Sequence, residues 1–376
     1  MSAYPFSLLF GYTPTNPLQL IIYLLIIWVP YILLIVYGQR LQSYAILADI
    51  NRYLVRLKYD ADQSRSNLLS YLQRKGVSGD GQKVIESMIE AQAIFPVNLD
   101  PVGIVKKLEH VIRVEDLTVK GRIKEVMKNA NEVERTAALN MLEIASALNY
   151  VYKVIRHFYL IGKKFPDNIY LIAQLQMILP SIVKQADAYL NAMTALEKSL
   201  PLGDGIGPMV VAEWLREREK VDLDEETVYG EAVINNRRLA IIKAKGPMAN
   251  VGNPDKALRF LLEGPYKDAS AIIMIDAALK LEGEQSGEVS VGVGAAIGGI
   301  GVEKFNIEEI AAENKIPLYA VIIKESIFEA ISVMTRDIAE AAKKAREAVL
   351  DVINKSVPEG GSAIVIGVGN TLGVAQ

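Results

Sequence analysis

Residues 18–37 contain no charged side chain, which limits what the start of this chain can become. As a helix rising 1.5 Å per residue, such a run is about 30 Å long, the thickness of a bilayer's hydrocarbon core. Fourteen of these residues are Leu, Ile or Val, each favouring insertion by roughly 0.3–0.6 kcal/mol. Gln19 at the edge and Pro30 inside do not outweigh them. A helix buried in a soluble core rarely stays apolar on every face. The run has no basic segment before it and no small-residue cleavage site after it, which argues against a cleaved signal peptide. Residues 1–37 are uncharged, whereas Arg40, Arg52, Arg56 and Lys58 follow closely. The positive-inside rule therefore predicts a single-pass protein of the cell membrane. Residues 1–17 would lie outside, 18–37 would be a transmembrane helix in the lipid bilayer, and the bulk would be cytoplasmic.

The chain has no cysteine, which removes disulfides, thiolate metal sites and cysteine nucleophiles from consideration. Residues 38–200 carry 22 Lys and Arg against 17 Asp and Glu, a balance of +5; residues 201–376 carry 19 against 27, a balance of −8. The basic part thus lies nearest the predicted span, which suits an anionic leaflet. No basic stripe interleaved with aromatics points to nucleic acid.

From 38 to 199 the apolar residues recur at three- and four-residue spacings, as in Ile123, Val126 and Met127, or Val151, Val154 and Ile155. Breaks are predicted at 76–81, 95–101 and 164–168, and a kink at Pro180. The expectation is a helical domain of five or six helices, able to self-associate into a homo-oligomer.

At Leu200 the period changes. Strands are predicted at 230–234, 239–244, 271–275, 318–323 and 363–368, and helices at 209–220, 254–263, 307–313 and 335–354. Alternation of this kind predicts a three-layer α/β domain over 200–376, with a mostly parallel sheet covered on both faces. The last strand should be central, beside 271–275. It runs into a Gly-x-Gly loop, GVGNT, with no helix behind it. A helix start of the missing kind lies upstream in LPLGDGIGPM, with Pro208 at a first-turn position. The domain is therefore expected to bring its last strand beside its first helix and build its site from both.

Open α/β sheets bind ligands at the carboxyl ends of their strands. The loops expected there place Gly203, Gly205, Gly207, Gly367, Gly369 and Asn370 as ligand-binding positions, with Asp204 and Asp276 as two carboxylates suited to a divalent metal ion or to acid–base work. The plainer alternative is that each caps a helix or a turn. The stretch 290–305 reads as a flap over the site or as a close-packed strand and turn, with Glu303 and Lys304 as further candidates, Glu303 for the metal. GVGNTLG lacks a contiguous helix and an acidic residue about twenty positions on, so it does not make a dinucleotide fingerprint. His110 and His157 both lie in the helical part, which excludes Ser-His-Asp catalysis within the α/β domain.

GVGNTL and GDGIGP, taken with Asp276–Ala277 after an apolar strand and with residues 316–341, resemble hydrogenase maturation endopeptidases in circularly permuted order. That resemblance implies a metal held by the positions of Asp204 and Asp276 together with a histidine, which this domain does not contain. Over its whole length the chain resembles the archaeal, membrane-anchored "domain of unknown function 1512" group, through residues 275–311 and the ending GVGNTLGVAQ. Two functions compete. One is a metal-dependent peptidase or hydrolase at the carboxylates; the other is a non-catalytic ligand-binding sensor or oligomeric membrane scaffold.

Overall fold

The structure, a computed structural model, describes residues 16–90, 119–296 and 302–375; the side chains at 19–20, 33–36, 39 and 302 fall outside that description, as does the break expected at 95–101. Helix α1 is Pro17–Arg74, α2 Gly79–Glu90, α3 Glu132–Lys164 and α4 Ile169–Lys198, with a further helical stretch at 119–126. Each boundary has a local cause. Asn16 Oδ1 accepts the Leu18 N–H, with Pro17 at the first helical position. At the other end of α1, Gly76 takes φ +79° and Val77 N–H reaches back to the Leu72 carbonyl. Asn131 and Glu134 exchange side-chain-to-backbone bonds across the first turn of α3. The predicted boundary at Gly38 does not interrupt α1, because the residues beyond it continue the helical period: Leu47, Ile50, Leu54, Leu57, Ala61 and Leu68 are all buried.

The chain divides into two compact units. The first comprises Met1–Arg56 and Tyr152–Ile182. Here α1 and α4 run side by side in the same direction, since Arg40 pairs with Asp167 at 2.8 Å and Gln176 donates to Asp49 at 2.7 Å. Both pairs are 127 residues apart, so the helices keep one register. Gly162 on α3 lies where a Cβ would meet Ile172 and Leu47 at 3.1 and 3.2 Å, which draws the three helices together. Among the described residues, no helix is long and apolar enough to cross a membrane. Nonetheless Leu18, Ile21, Leu25, Ile26, Trp28 and Ile32 are all exposed.

The second unit holds Leu57–Val151 and Val183–Gln376. Its α/β part comprises a 3₁₀ turn Gly203–Gly205, α5 Ile206–Leu215, β1 Lys220–Asp222, β2 Thr227–Ile234, β3 Arg237–Ala244, α6 Pro254–Glu263 and β4 Ala271–Leu279. There follow β5 Val289–Val293, α7 Val302–Glu313, β6 Leu318–Glu325, α8 Ile327–Ala330, α9 Arg336–Ser356 and β7 Ser362–Gly367. The strands form one sheet in the order β1-β2-β3-β7-β4-β6-β5. β7 is central, parallel to β3 on one side and to β4 on the other, and β4 is parallel to β6. Each flank is antiparallel: β1 and β2 with β2 and β3, and β5 with β6. The sheet is therefore mixed, not mostly parallel as the sequence suggested. The cause on one flank is the Asn235–Asn236 turn, with φ of +50° and +59°, which folds β2 onto β3 as a tight hairpin.

Strand alternation sorts the core into two layers. Ile273, Ile275, Val321, Ile323, Ala363 and Val365 pack with α5 and α9. Ile272, Met274, Ile364 and Ile366 pack with α6 and residues of α7. The continuous apolar runs of β4 and β7 follow from this burial on both faces.

Candidate functional site

The start of α5 sits over the carboxyl ends of β4 and β7. A Cβ on Gly207 would strike the Val368 carbonyl and come within 2.5 Å of the Ile275 carbonyl; one on Gly205 would lie 2.7 Å from the Asn370 carbonyl. Gly369, at φ +129°, faces the Asp204 carbonyl, and Gly367 lies 2.7 Å from the Gly207 carbonyl on the same measure. The Val368 N–H donates to Ile275 O at 2.8 Å. The loop before the first helix and the loop after the last strand thus meet as expected. Their glycines are used for backbone-to-backbone contact, because any side chain would wedge the loops apart.

Asp204 caps nothing in its own helix. Its Oδ2 accepts the Asn370 N–H at 2.8 Å, tying the two loops together. Asn370 continues the link: its Oδ1 accepts Leu372 N–H at 2.8 Å and its Nδ2 donates to Ala249 O. Thr371, fully buried, donates to the Lys245 carbonyl at 2.6 Å. Asp204 keeps a partial opening to solvent. Protein crowds it enough that desolvation raises its carboxyl above the usual range, against the lowering effect of the Asn370 N–H.

The second carboxyl beside Asp204 is Glu325, at the end of β6. It is 2% exposed, and neither oxygen has a hydrogen-bond partner among the described residues. A Cβ on Gly203 would lie 2.6 Å from Glu325 Oε2, so glycine is needed there to admit the side chain. Burial, then the charges of Asp204 and Glu329, push its carboxyl up to about 8. Glu329 has a different task. It closes a capping box with Ser326 at the start of α8 and accepts from Ser286 at 2.9 Å. Burial acts to raise Glu329, but these bonds hold it below the ordinary value.

Asp276 does not join this pair. It follows Ile272 and Met274 on the α6 and α7 face of β4, whereas Glu325 follows Val321 and Ile323 on the α5 and α9 face of β6. The alternation that sequence reasoning used to find β4 also sends Asp276 through the sheet. Its Oδ1 accepts the adjacent Ala277 N–H at 2.8 Å. Glu303 and Lys304 lie in the first turn of α7, and the stretch expected to be a flap contributes edge strand β5. Among the described residues, no three His, Cys, Asp or Glu side chains gather as a metal site requires. Of Asp204 and Asp276, the pair expected from the sequence, Asp276 lies on the opposite face of the sheet from Glu325.

Sequence reasoning missed Glu325. The available signal was a carboxylate closing an apolar strand, LYAVIIKE. It also missed Lys243, 1% exposed on β3, whose Nζ donates to Ala244 O at 3.0 Å. Burial and then Lys220 push that amine down to about 8.

The site loops are built into the helical core of the same unit. Leu202, Ala249 and Leu372 belong to the cluster formed by Leu68, Leu72, Met193 and Leu196. Lys120 reaches Glu226 at 2.7 Å in the same unit.

No curated protein and no solved structure matches the chain. Two family models do. Residues 22–199 match the protein of unknown function (DUF1512) N-terminal domain, and residues 202–375 match the domain of unknown function (DUF1512) C-terminal. Their junction coincides with the change of period at Leu200, and the chain belongs to the DUF1512 family.

Proposed function

We propose that this chain is a membrane-tethered, non-catalytic sensor whose α/β part binds a small cationic ligand between Asp204 and Glu325. One observation carries the reading: Glu325 is buried at the carboxyl edge of the parallel strands with two oxygens and, among the described residues, no donor. Buried polar groups are nearly always satisfied, so an unmet carboxyl beside a partly open one suits a ligand that brings its own N–H donors or positive charge. Leu202 and Leu372 support the sensing role. Each lies two residues from a site residue, Asp204 or Asn370, and each is packed into the helical cluster. A ligand that moves the Asp204–Asn370 link thereby moves the footing of the helices.

The tether rests on the uncharged run at 18–37, where Leu18, Ile21, Leu25, Ile26, Trp28 and Ile32 are all exposed among the described residues. The amino terminus lies outside the cell and the bulk in the cytoplasm. A metal-dependent hydrolase is the second reading. Its support is the same pair, since a carboxyl titrating near neutrality beside another is how acid–base sites are poised. A divalent ion would then need main-chain oxygens or water to complete its shell.

Thermal unfolding of the detergent-solubilised full chain tests both readings, with spermidine, Mg²⁺, Mn²⁺ or Zn²⁺ added singly. The sensor reading expects stabilisation by the polyamine that is lost in Glu325→Gln. Stabilisation by a divalent ion alone, again lost in the variant, would favour the hydrolase. Equal shifts in both proteins would remove this site from either account.

A further inference from the structure

The first unit also contains the turn between α3 and α4, which carries exposed aromatic and basic side chains. The Arg40–Asp167 and Asp49–Gln176 pairs put α1 and α4 in one register. The turn at residues 164–168 therefore lies level with the start of the charged part of α1. The described part of α1 before about residue 37 projects beyond it, with no other helix of this unit alongside among the described residues. If residues 18–37 cross a bilayer, as proposed above, the turn sits at the plane where α1 leaves the lipid.

The residues there fit that plane. Phe165 is 55% exposed and Tyr170 81% exposed, both large aromatics of the kind that settle at headgroup depth. Lys163 and Lys164 are exposed beside them. The one acidic residue of the turn, Asp167, is taken up by Arg40. Across the part of α3 and α4 in this unit, Lys153, Arg156, Lys163 and Lys164 stand against Asp167 alone. A cationic tip carrying exposed aromatics, with Lys164 Nζ lying 5.4 Å from the Phe165 ring centroid and the turn level with the proposed membrane exit, matches an anionic leaflet in both charge and polarity.

We propose that the α3–α4 turn docks on the anionic inner leaflet through Lys163, Lys164, Phe165 and Tyr170, giving the protein a second membrane contact. This inference rests on the tether reading. Docking would fix the angle at which the first unit leaves the membrane.

The absence of native cysteine makes the test clean. Phe165→Cys and, separately, Leu25→Cys are labelled with an environment-sensitive fluorophore in the full chain, reconstituted in nanodiscs. The discs are either zwitterionic or contain phosphatidylglycerol. The proposal expects the label at 165 to shift to the blue and resist an aqueous quencher in the anionic discs. Adding Lys163→Glu and Lys164→Glu should reverse this, since each lysine near such a surface contributes about fivefold to the docking equilibrium constant. A label at 165 that stays aqueous in anionic discs, while the one at 25 is shielded, overturns the docking and leaves the tether standing. A label at 25 that is itself aqueous overturns the tether, and the docking with it. Shielding at 165 that is the same in zwitterionic discs and in the Lys→Glu variant overturns the anionic-surface assignment.

Discussion

Glu325 dominates the chemistry at the residue scale. Its carboxyl titrates near 8 in the native protein against an ordinary value of 4.5. Between those values the native state holds a proton that the unfolded chain has lost. Stability therefore falls as pH rises through this window, by up to about 1.4 kcal/mol per pH unit. Glu325→Gln removes the ionisation while keeping the shape. The variant should match the parent near pH 4, below the window, and be more stable at pH 8 in urea titrations at both pH values; a variant that loses stability equally at the two would contradict the assignment. Asp204→Ala should cost about 1–3 kcal/mol by leaving the Asn370 N–H without its acceptor. It should also lower the Glu325 carboxyl, because one of the charges opposing ionisation is gone. The pH-dependent fall in stability would then be shallower. Asp204 and Asn370 were legible in the sequence because each sits in a glycine loop, where a polar side chain needs a reason. Glu325 was hidden because KESIFEA also reads as a helix start, which it is; the capping there belongs to Ser326 and Glu329.

At the element scale the central place of β7 carries most of the architecture. Its continuous apolar run told of burial on both faces, and the structure places it between β3 and β4. Truncation before Ser362 should abolish cooperative unfolding of the α/β part, because Ala363, Ile364, Val365 and Ile366, all fully buried, would leave two raw strand edges. Circular dichroism during heating checks this. Gly207→Ala tests the junction of α5 with the sheet. Its Cβ would meet two main-chain carbonyls, neither of which can yield as a flexible side chain does. The expected loss is about 3 kcal/mol or more, in the range of overpacked cores. Gly121→Ala, in the helical stretch 119–126 where a Cβ meets nothing, is the control and should stabilise by up to about 1 kcal/mol. The flanking strands were less legible. β1 is three residues long, and β5 is a glycine-interrupted edge, so neither shows a clear apolar alternation. The β2–β3 hairpin was marked by Asn235–Asn236, a signal that the expectation of alternating strands and helices overrode.

At the scale of the whole molecule, Leu202, Ala249 and Leu372 of the α/β part pack into the helical cluster of the second unit, and that packing would give the proposed ligand site something to act on. Leu202 and Leu372 stand in the helical cluster, while Asp204 and Asn370, two residues away from them, are joined by the Asn370 N–H to Asp204 Oδ2 bond. The most direct measurement is hydrogen–deuterium exchange of the full chain in nanodiscs, with and without spermidine, on the parent and on Glu325→Gln. The account predicts slower exchange at residues 202–206 and 367–372, and also in the helical stretches around Leu68–Leu72 and Met193–Leu196. Both changes should be absent from the variant. Protection confined to the loops would contradict the coupling, and unchanged exchange everywhere, with no binding, would contradict the site.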